Sequence, residues 1–460
     1  MNSALNSNMS ESAAKLVEMA KRAGAVDADA LAVNDIGENV CIRNQNIETV
    51  EREDSQGIGL RAFVDTDEGL AFASASSSDL SETGISALVN QVLTMAKISA
   101  ADPDAMPPSG ANHPPHEELL AWANRDQTEH VWSIEAAKLA ALKCEAAALD
   151  YSDRIENSEG AEAGFGNTHV AYACADGFAG EYSKSSLGLS LSVIAGSGDA
   201  MQRDYAYSRA RELAKLKAPE LIGKEAAERA VQRMGATSIG TRQTTVIFEP
   251  RIATSILGHL TGAVNGRAVL QNRSFLAECS GQIILPEFFQ LTDDPDHPDG
   301  LGNRLFDGEG TRCSKHTIID KGRLTGFLTD RYAAARLKSE ATGHARRGLT
   351  GDTSIGTSNL ILNPGRLDIE TLLKEIGDGL LVSEVMGMGV NGVTGDYSRG
   401  ASGFLVQNGE ITQPVNEITI AGNLKEMFAN ISHLGSDLTW FGSTAVPTIA
   451  ISDMTVAGQD

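Results

Sequence analysis

The sequence predicts an α+β protein: an N-terminal α/β region of two helix–strands–helix units, followed by a β-rich C-terminal domain with short helices. Three observations predict it. Amphipathic helices and alternating strands follow one another in the same order twice before residue 236. A proline-rich break separates the two units. Beyond residue 241, glycine turns and short strands dominate, and strands are segregated from helices more than interleaved with them. The boundaries so drawn are 10–100 for the N-terminal unit, 101–118 for a connector, 119–235 for the central unit and 236–460 for the C-terminal domain. A length of 460 residues suits two or three domains.

Residues 10–24 read as a helix with Leu16, Met19, Ala20 and Ala23 on one face and Gly24 as its stop. A β-rich stretch runs from Ala28 to Ser76. Within it Ile58, Leu60, Ala62 and Val64 alternate with Gly59, Arg61 and Phe63. Phe63 on the second face predicts a strand covered on both sides. Asp79 and Glu82 have capping-box spacing and open a second helix carrying Leu80, Leu88, Val92 and Ala96. Five of the thirteen prolines then fall between 101 and 118. Proline lacks the amide donor and fixes φ, so this segment reads as connector.

The order then repeats. Ser133 to Ala148 is an Ala-rich helix. Strands follow from Arg154 to Ser208, the clearest being Leu187, Leu189, Leu191 and Val193 alternating with Gly188, Ser190 and Ser192. Pro219 to Met234 is a helix closed by Gly235. In the C-terminal domain, Thr241 to Phe248 reads as a strand and Pro250 to Ala263 as a helix with Pro in its first turn. Hairpins are expected at Ile318–Leu324 and at Phe404–Ile411, where Asn408-Gly409 suits a type I′ turn. Short helices are expected at 330–338, 368–376 and 422–432, and Pro447 to Val456 reads as a terminal strand.

Lys plus Arg number 38 against 61 Asp plus Glu, a net charge of −23. A surface so acidic repels phosphate, so no nucleic acid and no anionic membrane is expected as partner. For a ligand of peptide type, the same charge would predict a preference for neutral or basic chains over acidic ones. No apolar run reaches transmembrane length, and Met1 to Ser10 lacks the basic and apolar regions of a signal peptide. The five cysteines are no closer than 30 residues apart. They form neither a disulfide framework nor a C-x-x-C pair and fit a reduced, cytoplasmic setting.

Four local patterns carry candidate chemistry. Gly387-Met388-Gly389-Val390-Asn391-Gly392 is a G-x-G-x-x-G after the strand-like Leu380–Val385. A dinucleotide site needs a helix next. The following Val393-Thr394-Gly395 is a poor helix start. The glycines then mark either backbone needing positive φ or close approach, or a groove that exposes backbone to a bound peptide. His116-Glu117 has no second His at zinc-protease spacing, and His113 and His116 read as residues of a solvated loop that could take up adventitious metal. Asp293 to Gly300 breaks the EF-hand pattern at Pro298 and reads as a solvated turn-rich loop. Cys313 and His316 are three apart, a conceivable catalytic diad. His259, on the helix 250–263, has Gly262 and Ala263 at its i+3 and i+4 positions, so no ligand partner follows it.

The segment Ser383-Glu384-Val385-Met386-Gly387-Met388-Gly389-Val390-Asn391-Gly392-Val393-Thr394-Gly395-Asp396-Tyr397-Ser398-Arg399-Gly400-Ala401-Ser402-Gly403-Phe404 resembles the TldD/PmbA family. So do Asn416-Glu417-Ile418-Thr419-Ile420-Ala421-Gly422-Asn423-Leu424 and Gly326-Phe327-Leu328-Thr329-Asp330-Arg331-Tyr332-Ala333. The resemblance runs from about residue 12 to the C-terminus. It implies one of two branches. The TldD branch carries H-E-x-x-x-H on a helix early in the C-terminal domain and a further Cys ligand near the C-terminus. The PmbA branch, also called TldE, lacks these and pairs with TldD in a cytoplasmic peptidase. That pair is associated with trimming unfolded peptides, including leader removal from a peptide antibiotic and breakdown of an antitoxin.

This chain resembles the PmbA branch. Gly258, His259 and Ala263 fall where the zinc branch has His, Glu and His, and no Cys follows Cys313. The resemblance therefore implies no metal bound by this chain's own motif and zinc in a TldD-type partner. It implies a non-catalytic subunit that forms the wall of a substrate chamber for unfolded peptide, with a homodimer also possible. The segment 387–403 would line that chamber. Asn391, Asp396, Tyr397, Arg399 and His259 are the candidate substrate-binding residues, each of the polar ones equally readable as a turn cap or ion pair. Members of the family are often labelled modulators of DNA gyrase, and the charge of −23 argues against direct action on DNA. An autonomous hydrolase with an unrecognised site, or a peptide-binding adaptor without peptidase partner, are the alternatives.

Overall fold

The computed structural model describes residues 2–125 and 132–459. The N-terminal half runs α1 (Asn2–Arg22), β1 (Asp27–Arg43), β2 (Asn46–Thr66), β3 (Gly69–Ser77), α2 (Glu82–Ile98), α3 (His116–Arg125), α4 (Ile134–Leu149), β4 (Ile155–Cys174), β5 (Ala179–Ala195), β6 (Gln202–Ala210) and α5 (Pro219–Gln232). The two helix–strands–helix units do not make separate sheets. They share one antiparallel sheet in the order β3-β2-β1-β4-β5-β6, joined where the first strands of the two units pair.

All four long helices of these units lie on one face of that sheet. Ala13, Leu16, Val17 and Ala20 of α1 and Leu88, Val92 and Ala96 of α2 pack on Ala30, Leu60 and Ala62. Ala137, Ala141 and Cys144 of α4 and Ile222, Ala226 and Ala230 of α5 pack on Leu187, Leu189, Leu191 and Val193. Small residues predominate on the helix side. At Gly223 a Cβ would lie 2.0 Å from the Cys144 carbonyl oxygen, so α5 could not pass so close to α4 with any side chain there.

Two expected boundaries move. The second helix opens at Glu82, capped by Ser81, whose hydroxyl accepts from the Gly84 amide. Asp79 serves one step earlier, accepting from the Ser81 amide at 2.9 Å. Within the proline segment, α3 begins at His116, directly after Pro115. A proline ahead of the first turn obstructs no helical hydrogen bond, so the run of prolines ends where a helix can start.

Part of the second face of the sheet is covered by the C-terminal half, together with Leu119 and Trp122 of α3. Leu31 and Tyr172 pack on Leu305 and Phe306 there. The strand 58–64 is buried on both faces, as its pattern predicts. A Cβ on Gly59 would lie 1.9 Å from the Leu349 carbonyl oxygen. A buried charge network sits at this junction. Arg61 donates to both oxygens of Asp29 at 3.1 and 2.8 Å, and Arg347 approaches Asp29 at 2.6 Å from the C-terminal side. Burial alone would raise the Asp29 carboxyl; the charges of Arg347 and Arg61 outweigh it and hold the group below its ordinary range.

The C-terminal half runs β7 (Arg242–Phe248), α6 (Pro250–Ala263), α7 (Gly266–Leu270), β8 (Leu291–Asp293), β9 (His316–Asp320), β10 (Arg323–Leu324), α8 (Arg331–Leu337), β11 (Ala345–Arg346), β12 (Ser354–Ile355) and β13 (Leu360–Leu362). It continues through α9 (Ile369–Ile376), β14 (Gly379–Met386), β15 (Asp396–Gln407), β16 (Glu410–Asn423), α10 (Leu424–Ala429), β17 (Ile431–Leu434), β18 (Thr439–Phe441), β19 (Thr444–Val446) and β20 (Ile449–Ala457).

One sheet has the order β16-β15-β14-β7-β20-β17, and a further β16–β20 pairing closes it on itself. A second sheet has the order β10-β9-β8-β13-β19-β18. The core lies between them, around Phe248, Leu257, Leu260, Phe289 and Ile420. Both expected hairpins form. Lys321 and Gly322 have φ of 48° and 75°, and Asn408 and Gly409 have 52° and 80°, the left-handed pair that a type I′ turn requires. The chain is an α+β protein of the predicted arrangement. No described helix is long and apolar enough to cross a membrane.

Candidate functional site

The loop between β14 and β15 carries the glycine-rich motif. Gly387 and Gly395 have φ of +78° and +84°. A Cβ on Gly389 would lie 1.9 Å from the Ser398 carbonyl oxygen. Asn391 caps the turn: its Oδ1 accepts from the Val393 amide at 2.9 Å and the Thr394 amide at 3.4 Å. The chain then enters β15 with no helix between. A pyrophosphate would meet no helix N-terminus here, which removes the dinucleotide reading.

This loop forms one wall of a cleft of about 360 Å³. The opposite wall is α6, which contributes Gly258, His259, Gly262 and Ala263. Pro250 starts that helix, where a missing amide costs nothing, and Ala253, Ile256, Leu257 and Leu260 bury its other face. Gly258 and Gly262 have open space where a Cβ would be, so the helix surface toward the cleft is backbone and little else. Arg273, Phe275, Met388, Arg399 and Leu424 also line the cleft.

The five sequence-predicted residues divide into two groups. His259, Tyr397 and Arg399 converge. The His259 and Tyr397 rings meet edge to face with centroids 5.8 Å apart. His259 Nε2 and the Tyr397 hydroxyl are both buried without a hydrogen-bond partner among the described residues. Burial, then the Arg399 charge, push the His259 imidazole below its ordinary value of 6.5. Burial pushes the Tyr397 phenol up to about 12 against the opposing pull of Arg399. Arg399 donates weakly to the Met386 carbonyl at 3.4 Å.

Asn391 and Asp396 are exposed and hold the turn. Asp396 accepts from Thr394 Oγ1 at 2.6 Å and from Asn423 Nδ2 at 3.2 Å. Their side chains shape the loop that carries the cleft wall. Met388 belongs to the segment 387–403 that was expected to line the site, whereas Arg273 and Phe275 were not expected. Arg273 and Phe275 follow α7 on a stretch with no motif, and only folding brings them to β15.

The cleft differs in charge from the chain as a whole. Its charged lining is Arg273 and Arg399, with no carboxylate, although the chain is strongly acidic. A larger cleft of about 550 Å³ lies elsewhere, between Tyr205, Arg209, Arg251 and Trp440. It contains none of the expected residues.

Three further patterns resolve differently from expectation. Asp293 is buried in β8, with its carboxylate 3.2 Å from His344 Nε2, and is no part of a solvated loop. Cys313 is buried and its Sγ lies 3.2 Å from the Gly343 carbonyl; burial pushes the thiol up to about 12, which removes the thiolate a catalytic diad needs. His113 is not solvated either. Its ring stacks on Phe178 with centroids 4.1 Å apart, and Nδ1 donates to the Gly310 carbonyl at 2.8 Å.

Comparison with known proteins matches three consecutive family models: PmbA/TldA metallopeptidase domain 1 over residues 28–96, the central domain over 129–234 and the C-terminal domain over 241–458. The chain is 36 % identical over 434 residues to Metalloprotease PmbA of Escherichia coli O157:H7, covering 92 % of this chain and 90 % of that one. It is 35 % identical over 454 residues to the Metalloprotease PmbA homolog of Haemophilus influenzae, covering 96 % and 94 %. The fold superposes on the crystal structure of TldE from Thermococcus kodakarensis with a TM-score of 0.84 at 20 % identity, over 97 % and 100 % of the two chains.

A metallopeptidase zinc ion needs about three protein donors and an open position. In the cleft only His259 offers a donor of that kind. Gly258, Gly262 and Ala263 offer none, and the Arg399 guanidinium opposes a cation beside it. The residues of this cleft do not fit a catalytic zinc ion.

Proposed function

The chain belongs to the PmbA/TldD metallopeptidase family, and from that premise we propose that it is the non-catalytic, chamber-forming subunit of a cytoplasmic zinc metallopeptidase acting on unfolded peptides. Its partner is a TldD-type subunit that holds the zinc. The observation that carries this reading is the surface of α6. It opens on a cleft, yet presents Gly258, His259, Gly262 and Ala263 where a zinc enzyme needs several donors.

A bare helix surface opposite a glycine-rich loop suits an extended chain held through its backbone. Arg273 and Arg399 add two cations to the cleft lining. Peptide enters this cleft with a carboxylate, either an acidic side chain or a free C-terminus, toward the two arginines.

The test is cleavage of unfolded peptides of varied charge by the chain alone, by a TldD-type partner alone and by the mixture. Cleavage that needs both chains, and acidic peptides that bind better than basic ones at low salt, are expected. Turnover by this chain alone, lost in a folded His259→Ala variant, overturns the reading in favour of an autonomous hydrolase. Activity of the partner that is indifferent to this chain favours an adaptor.

A further inference from the structure

Away from the α6 cleft, three metal-ligating side chains converge without sharing a residue with it. Cys174 ends β4, Asp176 lies in the turn that follows, and His113 comes from the proline-rich connector. Cys174 Sγ lies 3.7 Å from His113 Nε2 and 2.9 Å from Asp176 Oδ1. His113 Nε2 lies 3.1 Å from Asp176 Oδ2. Ligand atoms around a tetrahedral zinc are about 3.3–3.8 Å apart, given metal–ligand bonds of about 2.0–2.3 Å. One ligand atom from each of the three residues lies within 4.8 Å of the other two, so modest shifts meet that geometry.

The tautomer supports the same conclusion. The Gly310 carbonyl can only accept, so the hydrogen on His113 is on Nδ1. In a neutral imidazole Nε2 then carries the lone pair and faces a carboxylate oxygen, acceptor against acceptor. Either a second proton or a cation must stand between them. An imidazole fixed through Nδ1 by a backbone carbonyl, with Nε2 aimed at the ion, is also the arrangement that metal-binding histidines adopt.

The surroundings hold the ligands in place. Asp176 accepts from the Gly110 amide at 2.8 Å and the Phe178 amide at 3.2 Å. Phe178 stacks flat on the His113 ring. A Cβ on Gly310 would fall 3.1 Å from that ring and 2.8 Å from Tyr172, so only glycine brings its carbonyl this close. Cys174 is buried, while the side chains of His113 and Asp176 are 17 % and 27 % exposed, which leaves a path for an ion from solvent.

We propose that Cys174, His113 and Asp176 form a site for a zinc-class divalent cation, which clips the connector to the β4–β5 turn and, through Gly310, to the C-terminal half. A mixed thiolate, imidazole and carboxylate set suits zinc and disfavours magnesium or calcium. On binding, the Cys174 S–H bond breaks, the Sγ–metal bond forms and one proton leaves to solvent. A water fills the fourth position.

The experiment uses the full chain, freed of metal by a chelator and titrated with Co²⁺ as a spectroscopic probe and with Zn²⁺ in thermal melts. The expected result is a thiolate-to-cobalt charge-transfer band that saturates at one equivalent. It is absent in Cys174→Ser, and the cobalt affinity falls by roughly tenfold or more in His113→Gln. Zinc raises the melting temperature of the wild type and not of Asp176→Asn. No band in the wild type, or a band retained in Cys174→Ser, overturns the proposal. Should Cys174→Ser fail to fold, the wild-type titration and His113→Gln decide. None of these readouts depends on peptidase activity, so the clip and the chamber reading can fail separately.

Discussion

His259 on α6 and Tyr397 on β15 meet edge to face, ring centroids 5.8 Å apart, and each carries a buried polar atom with no partner among the described residues. The two come from elements far apart in sequence that form opposite sides of one cleft. An orphaned buried polar atom costs about 1–3 kcal/mol unless water or a ligand meets it. The pair therefore carries a cost that only water or a ligand reaching these atoms would remove.

Two substitutions separate these roles. Tyr397→Phe removes a hydroxyl that has no partner, so the melting temperature should stay level or rise, by the equivalent of about 1 kcal/mol. If the proposed pairing with a TldD-type subunit holds, His259→Ala should weaken peptide use by the mixture about tenfold through KM, with kcat little changed. A steady-state comparison of both variants in the complete pair checks this. A fall confined to kcat would argue for a chemical role instead.

The charge of Arg399 should be visible in the titration of His259. Burial and Arg399 both depress that imidazole. A base whose folded value is depressed keeps its stabilising contribution above its unfolded value of 6.5 and loses it as pH falls toward the folded value. Acidification below 6.5 should therefore destabilise the chain at this site. Arg399→Met should move the His259 midpoint upward in an NMR titration and relieve part of the acid sensitivity. An unchanged midpoint would leave burial as the whole cause.

Asp29 is the one carboxylate that both Arg61 and Arg347 contact within 3 Å. Asp29→Asn keeps the shape and leaves two buried guanidinium groups short of a counter-charge. The expected loss is about 3–5 kcal/mol. It should appear as a lower melting temperature, with detachment of the two halves before the helices melt. Circular dichroism together with limited proteolysis would show this. A melt within a degree of wild type would mean that Glu309 and Asp352, also near Arg61, take over.

Gly389→Ala tests the cleft wall directly. The added methyl would lie 1.9 Å from the Ser398 carbonyl oxygen, which is backbone and cannot rotate away. The hydrogen bond from the Ser398 amide to the Gly389 carbonyl should break with it. If the proposed chamber role holds, peptide binding by the mixture with a TldD-type subunit should fall by about tenfold or more, while the melting temperature drops only slightly because the loop is exposed. Peptide binding assayed beside a melt checks both halves of this expectation.

Much of the fold was legible because its signals are local. The alternation of Leu187, Leu189, Leu191 and Val193, the Asn408-Gly409 turn and the Pro250 helix start each follow from side chains within a few residues of one another. The burial of the 58–64 strand on both faces could also be read, since Phe63 occupied the face that should have been polar. The second helix was placed two to three residues early, because Asp79 and Ser81 can each cap and only the backbone path decides between them. Of the candidate site, His259, Tyr397 and Arg399 meet as a group, whereas Asn391 and Asp396 turned out to build the loop.

The sequence by itself determined the α+β class, the two similar N-terminal units, the family and the absence of a zinc motif, since each depends on residue identity and short spacing. Tertiary structure alone decided four things. It merged the two units into one sheet through β1–β4 pairing. It closed the C-terminal sheet through β16 and β20. It brought Arg273 to Arg399 as the charged lining of a cleft in an acidic chain. It also brought His113 to Cys174 and Asp176. The reason is common to all four: strand pairing and charge convergence depend on distances in space between residues that no local pattern links.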